Sequence, residues 1–162
     1  MRKAFSLLEL LIVIALLGAM TILGTNYMNV TSLSKSNIRT QLQSHFNIIS
    51  SAVLYCKELS NSMPLQNDGS PANSTLLTVL ECNTTTPYLL DGGKGSFIPP
   101  PVTGMTAYTA THSGSEFYFS TTATLNSDND EVLQELESKY SSNQYELTHD
   151  ATTAYLKFYL SR

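Results

Sequence analysis

Charged side chains are scarce in this 162-residue chain. Asp, Glu, Lys and Arg make up 14% of it, against about 25% in typical soluble domains, while serine, threonine and asparagine together supply 50 positions. Nine basic residues stand against thirteen acidic ones, which gives a net charge of -4. Because there is no basic surplus to hold phosphates, we predict no nucleic-acid partner.

Cysteine is also rare, and the motifs of common enzymes are missing. The two cysteines form no Cys-x-x-Cys pair, which excludes a four-thiolate zinc site and a thioredoxin-type centre. Residues 92–96 lack the glycine that a phosphate loop requires five positions before its Gly-Lys pair. The three histidines share no metal-ligand spacing. We therefore predict that the chain is not an enzyme and has no catalytic or cofactor-binding residue.

The apolar residues are concentrated at the amino terminus. After the basic head Met1-Arg2-Lys3, fifteen of the twenty residues 5–24 are apolar, and residues 10–34 carry no charge. Twenty helical residues rise about 30 Å, which is the thickness of a bilayer's hydrocarbon core. This segment predicts a membrane helix with the basic head in the cytoplasm and the rest of the chain outside.

One acid interrupts this apolar segment. An unpaired carboxylate such as Glu9 costs about 2.5–3.5 kcal/mol or more at membrane depth, and an ordinary cleavable export signal has no use for one. Beyond residue 24, apolar residues recur at helical spacing among polar ones: Tyr27, Val30, Ile38, Leu42, Phe46, Ile49, Val53 and Cys56. No proline occurs before Pro64, so the pattern predicts a single helix over residues 5–59.

The order of residues at this end carries a family resemblance. A basic head, the small Ala4, then Phe5, Leu7-Leu8-Glu9-Leu10 and a long apolar run resemble the class III signal of type IV prepilins and of type II secretion pseudopilins. The resemblance implies that a prepilin peptidase cuts between Ala4 and Phe5 and that the new amino terminus, Phe5, is N-methylated. Glu9 then becomes the fifth residue of the mature chain.

The resemblance also implies how subunits assemble. In this family the glutamate is thought to pair with the amino terminus of an adjacent subunit, so Phe5 and Glu9 are the expected assembly residues. The implied partners are other pilin or pseudopilin subunits, the prepilin peptidase and an inner-membrane assembly platform. The precursor is expected in the bacterial inner membrane, and the mature subunit in a periplasmic or extracellular filament.

Departures from the family pattern bear on the subclass. Ala4 stands where the residue before the cut is usually glycine, and Asn26 stands where many major pilins carry proline. Many type IV pilins also bracket their final segment with a disulfide, whereas both cysteines here lie far from the carboxyl terminus. The absent proline and the absent terminal disulfide favour a pseudopilin or minor pilin over a major pilin.

The predicted fold class is α+β, shaped like a pilin ladle: a long N-terminal helix, hydrophobic in its first half and amphipathic in its second, with a C-terminal antiparallel sheet of three or four strands packed on it. Alternating residues predict two hairpins with a short helix between them. The predicted divisions are a leader (1–4), the transmembrane and filament-core half of the helix (5–27), its amphipathic half (28–60), a connecting loop region (61–104) and the sheet with its short helix (105–162). The hairpin strands are predicted at 105–111, 116–123, 145–149 and 153–160, and the helix at 129–140.

The two cysteines suggest a crosslink. Cys56 lies near the end of the predicted long helix, and Cys82 follows the apolar residues 76–80. Because this region is expected to fold outside the cytoplasm, we favour a disulfide, which would close a loop of about 25 residues and add about 3 kcal/mol of stability. A pair of free buried thiols is the alternative.

Calcium is the one metal for which the sequence offers ligands. Asn126, Asp128 and Asp130 present suitable oxygen atoms, and the major type II pseudopilins are known for a calcium-stabilised loop. Carboxylates are few, and neither a central glycine nor a terminal glutamate at loop spacing is present. Helix capping explains these residues better, and we predict no cofactor.

Two hypotheses for function follow. In the first, the chain is a structural subunit of a type IV pilus-like filament or a type II secretion pseudopilus, cut by prepilin peptidase and assembled through its N-terminal helix. In the second, it is a membrane-anchored extracytoplasmic binding domain whose uncleaved N-terminal helix is only a tether.

Overall fold

A computed structural model describes residues 30–161, beginning with helix α1 at Val30–Ser60. The helix contains no proline and ends where Asn61 adopts a left-handed conformation, with φ of 54°, as asparagine tolerates directly after a helix. Pro64 follows closely and prevents the helix from continuing. Residues at helical spacing bury one face of α1: Leu42, Ile49, Val53 and Cys56 are at most 2% exposed.

Within the described residues, seven strands form two antiparallel sheets. The main sheet has five strands in the order β1-β4-β5-β7-β6, and β2 and β3 form a separate pair. The strands are β1 (Thr75–Leu76), β2 (Glu81–Cys82), β3 (Tyr88–Leu89), β4 (Thr109–Ser113), β5 (Glu116–Thr124), β6 (Tyr145–His149) and β7 (Thr153–Ser161).

The inner face of the main sheet supplies half of the core. Alternate residues of β5 and β7 are buried, as the period of a strand requires when one face packs against a helix. On this face the Phe119 and Phe158 rings stack with their centroids 5.2 Å apart. Phe46 of α1 packs on both, 5.9 Å from Phe119 and 5.0 Å from Phe158. These aromatic contacts join α1 to the two central strands.

Helix α2, Ser127–Lys139, connects β5 to β6. Two asparagines begin it: the backbone N–H of Asn129 donates to Oδ1 of Asn126, and the backbone N–H of Asn126 donates to Oδ1 of Asn129. Its apolar face, Val132, Leu133 and Leu136, is buried. This reciprocal capping satisfies amide groups that a helix start otherwise leaves unpaired.

Two ion pairs join the helices on their exposed sides. Lys35 of α1 contacts Glu131 of α2, and Arg39, one turn further along α1, contacts Glu135. The Lys35 ammonium, as hydrogen-bond donor and as nearby charge, lowers the pKa of Glu131 below its usual value. Exposed pairs of this kind contribute little to the free energy of folding. Their effect is to orient α2 relative to α1 more than to stabilise the packing of the two helices.

The predicted fold class is wrong. Residues 5–27, predicted as the hydrophobic first half of one long helix, lie outside the described residues. The main sheet has five strands instead of three or four, and a second sheet accompanies it. The additional strands β1, β2 and β3 all come from residues 61–104. Each has two residues, too short for a period-two pattern to reveal.

Other sequence-based expectations hold in the described region. Both hairpins and the helix between them are present, although the first strand of the first hairpin runs over Thr109–Ser113 instead of residues 105–111. The preceding segment contacts β5 irregularly: Met105 forms an isolated antiparallel bridge with Ala123, and the backbone N–H of Thr106 donates to the carbonyl of Thr122. Among residues 30–161 there is no helix long and apolar enough to cross a membrane.

A histidine–tyrosine pair links α1 to the segment before β4. The Tyr108 side chain is 4% exposed, and its hydroxyl lies 2.8 Å from Nδ1 of His45. Burial raises the pKa of Tyr108, which keeps the hydroxyl protonated, and lowers the pKa of His45 below 6.5. The neutral imidazole and the tyrosine hydroxyl therefore form a hydrogen bond at Nδ1.

This pair predicts a loss of stability in mild acid. The folded-state pKa of His45 lies below its unfolded value, so the unfolded chain binds the extra proton more readily. The stabilisation is complete above pH 6.5 and declines as the pH falls through the lower folded-state pKa. In urea denaturation between pH 7 and pH 5, His45→Gln should show a shallower decline in unfolding free energy than the unsubstituted chain. Equal slopes would contradict this role.

Candidate functional site

The processing and assembly residues proposed from the sequence cannot be placed. Ala4, Phe5 and Glu9 lie outside the described residues. Within residues 30–161 the structure shows one crosslink and one apolar groove, and these two features form the candidate site.

The crosslink is a disulfide between Cys56 and Cys82. It joins α1 to β2 with the two Cα atoms 5.5 Å apart, and both residues are fully buried. Neither cysteine is free, so the alternative of two buried thiols does not apply. The disulfide fixes the small β2-β3 sheet against the last two turns of α1.

The β3 strand holds the loop that follows it. Tyr88 pairs with Cys82 in the small sheet, and its ring lies against the Cα of Gly93, where any side chain would collide with it. Lys94 adopts φ of 50°, a left-handed conformation that costs about 1–2 kcal/mol outside glycine. Its ammonium lies 5.0 Å from the centroid of the Tyr88 ring. The disulfide therefore positions residues 93–97 through Tyr88.

This loop and α1 enclose a groove of about 710 Å³. Helix α1 contributes Asn47, Ile48, Ser51, Ala52 and Tyr55. The loop contributes Lys94, Gly95, Ser96 and Phe97. The groove is open to solvent, since Phe97 is 55% exposed and Tyr55 is 46% exposed. We refer to these nine residues as the α1 groove.

The chemistry of the α1 groove suits contact rather than catalysis. Its walls are largely apolar, its single ionisable amine, Lys94, lies over an aromatic ring, and it contains no acid–base pair. Within the described residues, no group of three or more His, Cys, Asp or Glu side chains is arranged to hold a metal. Clusters of exposed apolar residues of this kind commonly mark interaction surfaces.

The remaining residues considered in the sequence do not converge on a site. Asn126 takes part in the cap of α2, and the carboxylate of Asp130 accepts a hydrogen bond from Gln134 one turn later. Residues 92–96 form a short turn and a wall of the α1 groove instead of leading into an α-helix. His45 contacts Tyr108, whereas the His112 ring packs on Phe117.

Sequence reasoning missed the α1 groove, although the helix carries a signal for it. Ile48, Tyr55 and Leu59 are spaced by seven and four residues, which places them on one side of α1, beside the buried stripe. Each is 36–46% exposed. A second, narrower apolar stripe on a helix whose main stripe is already buried indicates a surface on which another molecule can pack.

Comparison with known proteins adds no assignment: no protein-family model, curated protein or solved structure matches the chain.

The disulfide can be tested through stability. Replacing both cysteines by serine should lower the free energy of unfolding by about 3 kcal/mol, because the 26-residue separation is then no longer closed in the unfolded chain. Urea denaturation of the full chain in detergent micelles measures this loss. Dithiothreitol should weaken the unsubstituted chain similarly and leave the double-serine variant unchanged. Equal stability of the two chains under oxidising conditions would rule out the crosslink's contribution.

Proposed function

We propose that the chain is a structural subunit of a type IV pilus-like filament or of a type II secretion pseudopilus. In this proposal prepilin peptidase cuts after Ala4, Phe5 is methylated, and subunits leave the inner membrane to assemble through their N-terminal segments. The departures at Asn26 and in the cysteine positions favour a pseudopilin or minor pilin over a major pilin. The observation that carries the proposal is the sequence from Met1 to Leu10, with one acid in an apolar run.

The spacing of Glu9 supports the proposal on physical grounds. A cut before Phe5 creates a positive amino terminus four residues before Glu9, a separation that places two groups on one side of a helix. In an apolar environment a carboxylate without a partner is strongly destabilising. Pairing with the amino terminus of a neighbouring subunit removes that cost, so the transfer from bilayer to filament is favoured and the axial register of the subunits is fixed.

The α1 groove is compatible with lateral contacts between subunits. Its exposed residues Ile48, Tyr55 and Phe97 lie beside the helix stripe that is already used for the core. A filament requires such additional contacts, because the N-terminal segments alone hold only one end of each subunit. The same groove is the observation that favours the second candidate, a membrane-anchored binding domain with an uncleaved tether, since a binding domain also needs an exposed apolar surface.

Substitution of Glu9 tests assembly. Glu9→Ala should leave the outer domain folded and reduce incorporation into filaments at least about tenfold, because the change removes the proposed charge pair and alters none of the residues that form the described core. Incorporation is measured by shearing cells that express the chain and blotting the sheared fraction, with the membrane fraction as the measure of expression.

Glu58→Ala is the matched control. Glu58 is an exposed acid near the end of α1, so its loss removes the same charge without affecting the N-terminal segment, and incorporation should be unchanged. Normal incorporation of Glu9→Ala would remove the role proposed for this acid. Equal losses in both variants would show that net charge, and not the position of Glu9, controls assembly.

A further inference from the structure

Most side chains on the outer face of the main sheet carry a hydroxyl group, although the register also places the Lys157–Glu146 pair on this face and the exposed Leu76 beside Thr109 at its edge. On β5 the residues that alternate with the buried ones are Tyr118, Ser120 and Thr122, and on β7 they include Thr153 and Tyr155. The strand register extends the pattern across the sheet, with Thr109 beside Ser120 and Thr148 beside Tyr155. We refer to these seven residues as the hydroxyl face.

The hydroxyl face carries little uncompensated charge. At its centre, the Lys157 ammonium lies 2.9 Å from a carboxylate oxygen of Glu146, so the two charges neutralise each other. The hydroxyl of Tyr159 donates to the other oxygen of Glu146 at 2.7 Å. Two further acids lie at the margins: Glu116 begins β5, and Asp150 lies in the turn before β7, where it accepts backbone N–H groups of that turn. A polyanion would meet no basic surplus here.

Two tyrosine rings stand on this face at different positions along the strands. Tyr155 is 44% exposed, and the register places a threonine on each side of it, Thr122 on β5 and Thr148 on β6. Tyr118 is partly exposed, packs on Tyr159 with ring centroids 5.2 Å apart, and has the Lys157 ammonium over its ring, 5.6 Å from the centroid. Because Tyr159 lies four residues beyond Tyr155 on β7, the two ring positions are separated by about 13 Å.

From this arrangement we propose that the hydroxyl face binds a neutral polysaccharide. The apolar C–H side of a sugar ring stacks on an exposed tyrosine, while threonine and serine hydroxyls both donate to and accept from sugar hydroxyls. Tyr155 offers the exposed ring for stacking, and the row of hydroxyl groups along and across the strands suits an extended chain of sugars rather than a single one. The near-neutral centre is complementary to an uncharged ligand. Among the described residues, the face offers no surplus of cations to a nucleic acid, and Leu76 at its edge is its one exposed aliphatic side chain, too little for an apolar protein interface.

Retention on insoluble polysaccharides tests the proposal. The full chain in detergent micelles is passed over microcrystalline cellulose, chitin and amylose resin. At least one resin should retain it, and the matching soluble oligosaccharide should release it. Because the ligand is neutral, retention should be insensitive to added sodium chloride. Tyr155→Ala should bind about five- to tenfold more weakly. Tyr155→Phe should bind as the unsubstituted chain does, because it keeps the ring.

Two further variants separate the hydroxyl face from general adhesion. Phe97→Ala removes a comparably exposed ring from the α1 groove and should leave retention unchanged. Joint Thr122→Val and Thr148→Val keeps the side-chain shape and should weaken retention. Unchanged thermal denaturation shows that each variant is folded. Failure on all three resins, equal loss with Phe97→Ala, or full retention of Tyr155→Ala would overturn the proposal. Retention that disappears with salt, or a dimer in solution that Tyr155→Ala dissociates, would overturn it as well.

Discussion

The packing of α1 on the inner face of the main sheet is the contact on which the rest of the described structure depends. Phe46 lies against Phe119 and Phe158, and the fully buried Ile49 and Val53 continue the same stripe. A helix and a sheet each have one apolar face, and burying both together is what makes either stable. Because this contact buries one face of each element, the adjacent side of α1 and the opposite face of the sheet remain exposed. These are the surfaces of the α1 groove and of the hydroxyl face.

The disulfide attaches to α1 a segment that has little regular secondary structure of its own. Residues 61–104 contain only strands of two residues and short turns, yet Leu77, Leu80 and Leu90 are fully buried. Their burial, together with the link from Cys56 to Cys82, holds the segment against α1. Tyr88 lies against Gly93 and Lys94, and the backbone N–H of Leu90 donates to the carbonyl of Leu80. The disulfide, the buried leucines and these contacts together position the loop that lines the α1 groove.

The elements that the sequence predicts well are those with long periodic patterns. The nine-residue alternation of β5 and the helical stripe that contains Leu42 and Ile49 are local properties, readable without knowledge of the fold. The strand Thr75–Leu76 depends instead on pairing with Ala110 and Thr109, more than thirty residues away, and no local pattern encodes that partner. The α1 groove was missed for the same reason, because Phe97 is far from Ile48 and Tyr55 in the sequence and only the fold brings them together. The separation of the core residues Phe117 and Phe119 from Tyr118 on β5 follows directly from alternation.

In the proposed filament subunit, three regions have separate roles. The N-terminal segment anchors and polymerises, the α1 groove offers lateral contact, and the hydroxyl face, which shares no residue with the groove, remains available to a ligand outside the filament. The claim on which this division rests is proteolytic processing before Phe5. Mass spectrometry of the native protein, purified from the cells that make it, tests that claim most directly. The account predicts a chain without Met1 to Ala4 that begins with N-methylated Phe5, and a chain that still carries Met1 would contradict it.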